Sequence, residues 1–213
     1  MTKVDRSILS ALLIASVLLI GFSITTYARY LAEQRAELKS RVLDISVAEA
    51  IGPHPDFRGN QTAPFTLIEW GDYQCPPCRA TEKPLEEILN GNSHELRFTF
   101  RNLPLTSIHP LAEIAAITAE IAREQGNFWP VHNSLYTNEL SPLSINGAVK
   151  IPRNDTLDHR VSVELKAKLA IRLDIATAHQ LAIDSTPSFV LCCPNGKVVR
   201  LRTLNDIHDY LGH

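Results

Sequence analysis

The sequence predicts an α/β domain that is preceded by a helix long enough to cross a membrane. Strand-like and helix-like segments alternate along residues 59–213, and an uncharged apolar run occupies residues 8–27. The chain has 213 residues, of which 45% are hydrophobic, so it can build one sizeable core. Its 21 basic and 23 acidic residues nearly cancel, which gives no reason to expect nucleic acid as a partner.

The apolar run of residues 8–27 has about the length that a helix needs to span a bilayer. It exceeds the ~7–15 residues of a usual signal-peptide core, so we interpret residues 1–28 as a membrane anchor. A cleaved signal peptide is the alternative, because Lys3 and Arg6 give the chain a positive start. Basic residues flank the run on both sides, so the distribution of Lys and Arg does not set its orientation.

Residues 29–58 predict a helical stalk and a linker. Leu31, Leu38 and Val42 recur at helical spacing among charged residues. Proline and glycine between residues 52 and 59 then interrupt any helix, so we expect the folded domain to begin near residue 58.

The folded domain begins with a strand that leads into a cysteine pair. Residues 65–70 are apolar and β-prone, and Cys75 and Cys78 follow them. Residues 79–89 have helical character, with a kink expected at Pro84. The two cysteines are therefore predicted to lie at the junction of a strand and a helix.

The rest of the chain predicts a second strand, a block of helices and a hairpin. Residues 96–101 alternate apolar and polar, as a strand with one buried face would. Helical patterns follow as far as Leu181. Strands over residues 188–193 and 197–201 are joined by Pro-Asn-Gly, a favoured turn, and residues 205–211 predict a terminal helix.

The Cys-Pro-Pro-Cys motif at residues 75–78 favours thiol–disulfide chemistry. A thiol attacks only as the thiolate, and a helix N-terminus favours negative charge at Cys75. Cys78 lies one turn later, so it can form a disulfide with Cys75 and resolve intermediates. Pro76 and Pro77 have no N–H to donate, which should make the disulfide less oxidising, and the charge of Arg79 offsets part of this effect.

Two other interpretations of the cysteine pair are possible. A zinc site would need further ligands, but Cys192 and Cys193 are adjacent rather than spaced by two residues, so we expect no metal and no cofactor. A purely structural disulfide is disfavoured, because so short a loop removes little entropy from the unfolded chain.

Several further segments occur in a fixed order around the motif. They are residues 60–64, 68–78, 98–105, 109–110, 125–129 and 186–189. The ordered set resembles the DsbA-like thiol–disulfide oxidoreductases, and the membrane-tethered Gram-positive-type branch most closely. The resemblance covers residues 59–213 and implies a thioredoxin-like fold with a helical insertion at about residues 106–176.

The resemblance also implies roles for residues outside the motif. It implies that Pro187 is cis and faces the cysteines, so that Thr186 offers its backbone to an extended substrate peptide. It implies that Glu69 is a buried acid that exchanges protons with Cys78. From the residues alone, Pro187 could be an ordinary trans proline and Glu69 a solvated strand residue.

Cys192 and Cys193 depart from the family's pattern. Adjacent side chains on a strand point to opposite faces, so we expect one core thiol and one surface thiol. A vicinal disulfide or a second redox pair is the alternative. Five residues of strand beyond Pro187 span ~17 Å, which is too far for a direct sulfur relay without movement.

Together these features predict a membrane-anchored, extracytoplasmic dithiol oxidase. Its partners would be cysteine-containing proteins, a redox protein that recycles the pair, and the membrane through residues 8–27. A reductase or isomerase of the same fold is one alternative, which the Pro-Pro dipeptide favours. A tethered peptide-binding or chaperone module that uses the groove at Thr186 and Pro187 is an alternative of another class.

Overall fold

The computed structural model describes residues 3–149 and 156–211. It divides into two units, Met1–Val42 and Leu43–His213. The first unit holds one long helix, α1 (Lys3–Ser40). Within α1, the stretch Ile8–Glu33 has a mean hydropathy of 2.5, and it is the one candidate membrane span among the described residues by length and composition.

The segment after α1 differs from the stalk that the sequence predicts. α1 ends at Ser40, the two-residue strand β1 (Val42–Leu43) follows, and α2 (Val47–Ile51) begins after Ser46. The Ser46 hydroxyl accepts the Glu49 N–H at 3.2 Å. Ala50 is fully buried and belongs to the core of the second unit. The compact unit therefore starts before the predicted boundary near residue 58, because α2 packs against the sheet through Ala50.

A mixed sheet forms the centre of the Leu43–His213 unit. β3 pairs in parallel with β4 and antiparallel with β5, and β5 and β6 form the predicted hairpin. The order of the strands of this unit is β6-β5-β3-β4-β2. Their bounds are β2 (Arg58–Gly59), β3 (Phe65–Gly71), β4 (Leu96–Asn102), β5 (Ser188–Cys192) and β6 (Val198–Leu201).

Helices cover both faces of this sheet. They are α3 (Pro76–Gly91), α4 (Ala112–Glu124), α5 (Phe128–Thr137), α6 (Pro142–Ala148) and α7 (Leu157–Gln180). α3 continues through Pro84. α4 to α7 lie between β4 and β5 in the chain, where the helical insertion is predicted, and residues 150–155 of that range lie outside the described residues. A 3₁₀ helix, Leu204–Asp209, follows β6, where the sequence predicts an ordinary helix.

Successive residues of β3 contribute to two separate cores. Leu67 packs with Phe98, Phe100 and Cys78 in one cluster of buried side chains. Ile68 and Trp70 belong to the other cluster. Because side chains alternate along a strand, Glu69 lies on the same face as Leu67 and therefore on the side of the cysteines.

β4 is buried on both faces, which corrects the prediction of a strand with one buried face. Arg101, a polar position of the alternating pattern, is only 3% exposed. Its guanidinium donates to Asp174 Oδ1 at 2.6 Å and to the carbonyl oxygens of Glu49 and Ala50 at 3.0 and 2.9 Å. A charged residue is buried here because α7 and α2 supply its partners.

Candidate active site

The two cysteines lie at the start of α3, at the strand-to-helix junction that the sequence predicts. Cys75 is the N-cap residue, and Cys78 lies in the first turn. The Cys75 N–H donates to Asp72 O at 3.0 Å, which closes a turn directly after β3. Cys75 is 4% exposed and Cys78 is fully buried. Both are free thiols in this structure.

The Cys75 sulfur faces the segment that precedes β5. Its thiol donates to Thr186 O at 3.4 Å, and the Thr186–Pro187 peptide bond is cis. No helix N–H among the described residues donates to the Cys75 side chain, and Pro76 and Pro77 occupy the first two helical positions. The fold therefore brings together two segments that are far apart in sequence.

Cys78 is held as a thiol by its surroundings. Burial raises the pKa of the Cys78 thiol well above its usual range, and the ionised form of Glu69 raises it further. The Asp72 backbone and the Thr186 side chain oppose this rise in pKa.

The guanidinium of Arg79 donates to Asn138 O at 3.1 Å, which directs it toward the end of α5.

Glu69 is a fully buried acid without a hydrogen-bond partner among the described residues. Burial raises its pKa well above the usual 4.5, the charge of Glu82 adds to the rise, and interaction with the Cys78 thiol opposes it. Gly71 leaves room for the carboxyl group. A Cβ at Gly71 would clash with the Phe100 ring and lie 3.0 Å from Glu69 Oε1.

This buried acid predicts how stability depends on pH. The unfolded carboxyl group ionises near 4.5, whereas the folded one keeps its proton to higher pH. The folded state thus binds more protons, so wild-type stability should fall as pH rises above 4.5, by up to about 1.4 kcal/mol per pH unit. In Glu69→Gln the contribution of Glu69 to this fall should disappear, so the variant should gain stability relative to the wild type as pH rises.

Chemical denaturation between about pH 5 and pH 8 tests this prediction. Trp70 and Trp129 both belong to the folded unit, so their fluorescence reports its unfolding. Glu87→Gln, at an exposed position of α3, is the control and should leave the pH dependence unchanged. Parallel pH curves for wild type and Glu69→Gln would rule out a buried neutral acid.

The turn before the first cysteine is anchored by two side chains that sequence reasoning did not single out. Asp72 accepts the Gln74 N–H at 2.7 Å and the Leu105 N–H at 2.8 Å, and its Oδ2 lies 2.8 Å from His109 Nδ1. Gln74 Oε1 accepts the Leu111 N–H at 2.7 Å. An Asp whose carboxylate binds the N–H two residues later is typical of a turn, which is the signal that could have identified it.

A cluster of polar side chains lies in the same core as the two cysteines. Its members are Tyr73, Glu82, His132 and Tyr136. The Tyr73 hydroxyl lies 3.0 Å from His132 Nδ1, and His132 Nε2 lies 3.5 Å from Glu82 Oε1. The Tyr136 hydroxyl is buried without a partner among the described residues. Burial raises the pKa of Tyr136, and the ionised form of Glu69 adds to the rise. Tyr73, Tyr136 and Glu82 interact electrostatically with the Glu69 carboxyl group.

Cys192 and Cys193 lie apart from this site, on opposite faces of the sheet. Cys192 is 2% exposed and packs in the core of Ile68 and Trp70, whereas Cys193 is half-buried against the other core. Both are free thiols. Burial raises the pKa of Cys192 to about 12 and also raises that of Cys193. Within residues 3–149 and 156–211, no three His, Cys, Asp or Glu side chains are grouped to hold a metal ion.

Comparison with known proteins identifies a family model and several relatives that match this chain. A family model described as thioredoxin matches residues 53–211. The chain is 32% identical over 184 residues to the Na⁺/H⁺ antiporter NhaA 1 of Salinispora arenicola, and 35% identical over 184 residues to NhaA 3 of Salinispora tropica. Each alignment covers 80% of this chain but 28% of the relative, so the chain spans little more than a quarter of these relatives' length.

Solved structures share the fold at low sequence identity. The thiol-disulfide exchange protein alpha-DsbA2 of Wolbachia pipientis has a TM-score of 0.62 and 18% identity, over 77% of this chain and 89% of that one. DsbA2 of Pseudomonas aeruginosa has a TM-score of 0.58 and 22% identity, over 74% and 93%. Oxidised BdbD of Bacillus subtilis has a TM-score of 0.56 and 19% identity, over 78% and 97%. These likenesses confirm the predicted thioredoxin-like fold.

Proposed function

This chain belongs to the thioredoxin family and has the fold of DsbA-like thiol–disulfide oxidoreductases, and from that premise we propose that it is a membrane-anchored dithiol oxidase. The observation that carries the proposal is the contact between the Cys75 thiol and Thr186 O at the start of α3. It joins a reactive pair to an extended segment that can hold a peptide. The apolar stretch Ile8–Glu33 supports the membrane anchor. The compartment is proposed from the chemistry, since protein disulfides form and persist outside the cytoplasm.

In the proposed reaction, the oxidised enzyme carries a Cys75–Cys78 disulfide. A substrate thiolate attacks the Cys75 sulfur, which forms a mixed disulfide and releases Cys78 as the leaving thiolate. A second substrate thiolate then attacks the substrate sulfur of the mixed disulfide and releases Cys75. The substrate dithiol loses two electrons and becomes a disulfide, and the enzyme pair becomes the dithiol that this structure contains.

Glu69 and Thr186 have separate parts in this reaction. Because burial keeps Glu69 protonated, its carboxyl group can donate a proton to the Cys78 thiolate as that sulfur leaves. Thr186 offers its backbone to the substrate peptide beside Cys75, as strand addition requires. Pro76, Pro77 and Arg79 tune the stability of the disulfide.

Ion antiport is not part of this proposal, although the curated relatives bear that name. The alignments cover only 28% of those relatives. The part of this chain that the structure describes contains one candidate membrane span. The alignments cover 80% of this chain, so they include much of the region that the thioredoxin model matches. The part shared with these relatives therefore supports redox chemistry.

Trapping of substrates in cells tests the proposal. In Cys78→Ser, the Cys75 thiolate can still attack a substrate disulfide and form a mixed disulfide, but the Cys78 thiolate that would release the substrate by attack on Cys75 is missing, so we expect covalent complexes that a reductant releases on gels. They should be absent from the Cys75→Ser/Cys78→Ser double variant, which is the matched control. The absence of trapped proteins in Cys78→Ser would contradict the oxidoreductase, and biological activity that survives in the double variant would favour a peptide-binding module instead.

Alkylation of intact cells tests the direction and the compartment. An oxidase should hold Cys75 and Cys78 mostly as the disulfide. If the domain lies outside the cytoplasm, the Cys75 thiol should react with a membrane-impermeant reagent after reduction of the intact cells. A pair that is mostly reduced before treatment would favour a reductase or isomerase.

A further inference from the structure

Three segments of the chain meet beside Cys75 at one edge of the sheet. β3 lies between β5 and β4, is antiparallel to β5 and is parallel to β4. The start of β5 and the ends of β3 and β4 therefore lie at the same edge. The turn that carries Cys75 is flanked by Thr186 on one side and by residues 103–111, the β4–α4 loop, on the other. Since neighbouring strands are ~4.8 Å apart, the loop and Thr186 are separated by about 10 Å.

Buried hydrogen bonds fix the β4–α4 loop to the turn that carries Cys75. The Asp72 side chain is fully buried, and its carboxylate accepts the Leu105 N–H at 2.8 Å and lies 2.8 Å from His109 Nδ1. The carbonyl oxygen of the same residue accepts the Cys75 N–H at 3.0 Å. The loop therefore has a defined position relative to the reacting sulfur, and a substrate does not have to order it on binding.

Ile108 lies at the exposed tip of this loop. It is 67% exposed, and Leu105 O accepts both the Ile108 N–H at 3.0 Å and the His109 N–H at 2.9 Å, so the backbone at the tip is fixed. A single exposed isoleucine is ordinary on a protein surface. This one, however, belongs to a loop of nine residues without Asp, Glu, Lys or Arg, in a chain that is 21% charged. The surface on this side of Cys75 is therefore uncharged.

We propose, on the basis of the proposed function, that the β4–α4 loop is the second wall of the substrate site and that Ile108 selects peptides with an apolar residue close to the cysteine. A peptide held by Thr186 on one side of Cys75 spans the distance to the loop with about three extended residues. An apolar side chain of the peptide would leave water on contact with Ile108, which favours binding. A charged side chain would lose hydration there without gaining a partner.

A series of dithiol peptides tests this selectivity with the full chain in detergent and oxidised glutathione as the terminal oxidant. The peptides carry Leu, Glu or Lys two positions before and two positions after the reacting cysteine. Because side chains alternate along an extended chain, these positions face the protein together with the cysteine. The wild type should oxidise the leucine peptide with a KM about tenfold lower than that of either charged peptide.

Exchange of charge at residue 108 distinguishes selection from a structural effect. Ile108→Glu should remove the preference for leucine and favour the lysine peptide over the glutamate peptide, and Ile108→Lys should favour the reverse. Both changes should fall on KM rather than on kcat, because the proposed reaction gives Ile108 no part in sulfur exchange.

Leu157→Glu is the matched control for these variants. Leu157 is 74% exposed, and it lies ~21 Å along α7 from Ile171, which lines a cavity together with Pro104 and Thr106 of the loop. This variant should keep the wild-type order of the peptides.

The outcomes separate the selectivity from the proposed function. If the wild type oxidises the peptides and the Ile108 variants leave their order unchanged, or change it no more than Leu157→Glu does, the selectivity is overturned and the oxidase stands. A wild type that oxidises none of the peptides would contradict the oxidase, and the selectivity with it.

Discussion

Replacement of Cys75 with serine is expected to abolish thiol–disulfide exchange, with a loss of at least about a thousandfold. Cys75 is the sulfur that a substrate can reach, since it lies at the N-cap of α3 against Thr186 O. Cys78 cannot replace it, because the Cys78 side chain is fully buried and burial raises the pKa of its thiol. The measurement is the rate at which the protein oxidises a dithiol peptide with oxidised glutathione as the terminal oxidant.

The two remaining cysteines supply the control for this experiment. Cys192→Ser and Cys193→Ser should keep the exchange rate within about twofold of wild type, since neither thiol belongs to the reacting pair. Cys192 lies in the core on the other face of the sheet, so stability is to be measured beside activity. Equal loss of activity in folded Cys75→Ser and Cys193→Ser would contradict the assignment and favour a second redox pair.

Arg101→Met is expected to destabilise the folded unit by about 3–5 kcal/mol, because it removes one partner of a buried ion pair. Methionine fills a similar volume but donates no hydrogen bond. Asp174 would lose its 2.6 Å contact, and the Glu49 and Ala50 carbonyl oxygens would lose their donor. Burial already raises the pKa of Asp174, and the charge of Arg101 is the largest effect that opposes the rise.

Lys168→Met is the matched control for Arg101→Met. Lys168 also forms an ion pair at 2.6 Å, with Glu164 on α7, but both side chains are about half exposed. An exposed pair four residues apart in a helix contributes about 0.3–0.5 kcal/mol, so this variant should unfold near the wild-type midpoint. Urea denaturation of both variants decides the matter, and similar midpoints would show that burial of Arg101 adds nothing.

Local spacing in the sequence determined the cysteine pair, the strand that leads to it and the hairpin. Cys75 and Cys78 lie at the predicted junction because residues 65–70 form a strand and α3 begins directly after Cys75. The hairpin turn at Asn195-Gly196 depends on four neighbouring residues, so sequence alone predicts it. The apolar stretch of α1 was equally evident, because its signal lies in consecutive residues.

The tertiary structure alone decided which polar residues are buried and what they contact. The alternation in β4 could not reveal that α7 covers its second face, since Asp174 lies far along the chain from Arg101. The same holds for Asp72, whose partner Leu105 lies beyond β4, and for Thr186 against Cys75. From the sequence, Glu69 could be either a solvated or a buried acid, and the packing of the folded chain buries it. The physical reason is that burial is set by groups that approach from distant parts of the chain, and no local pattern records them.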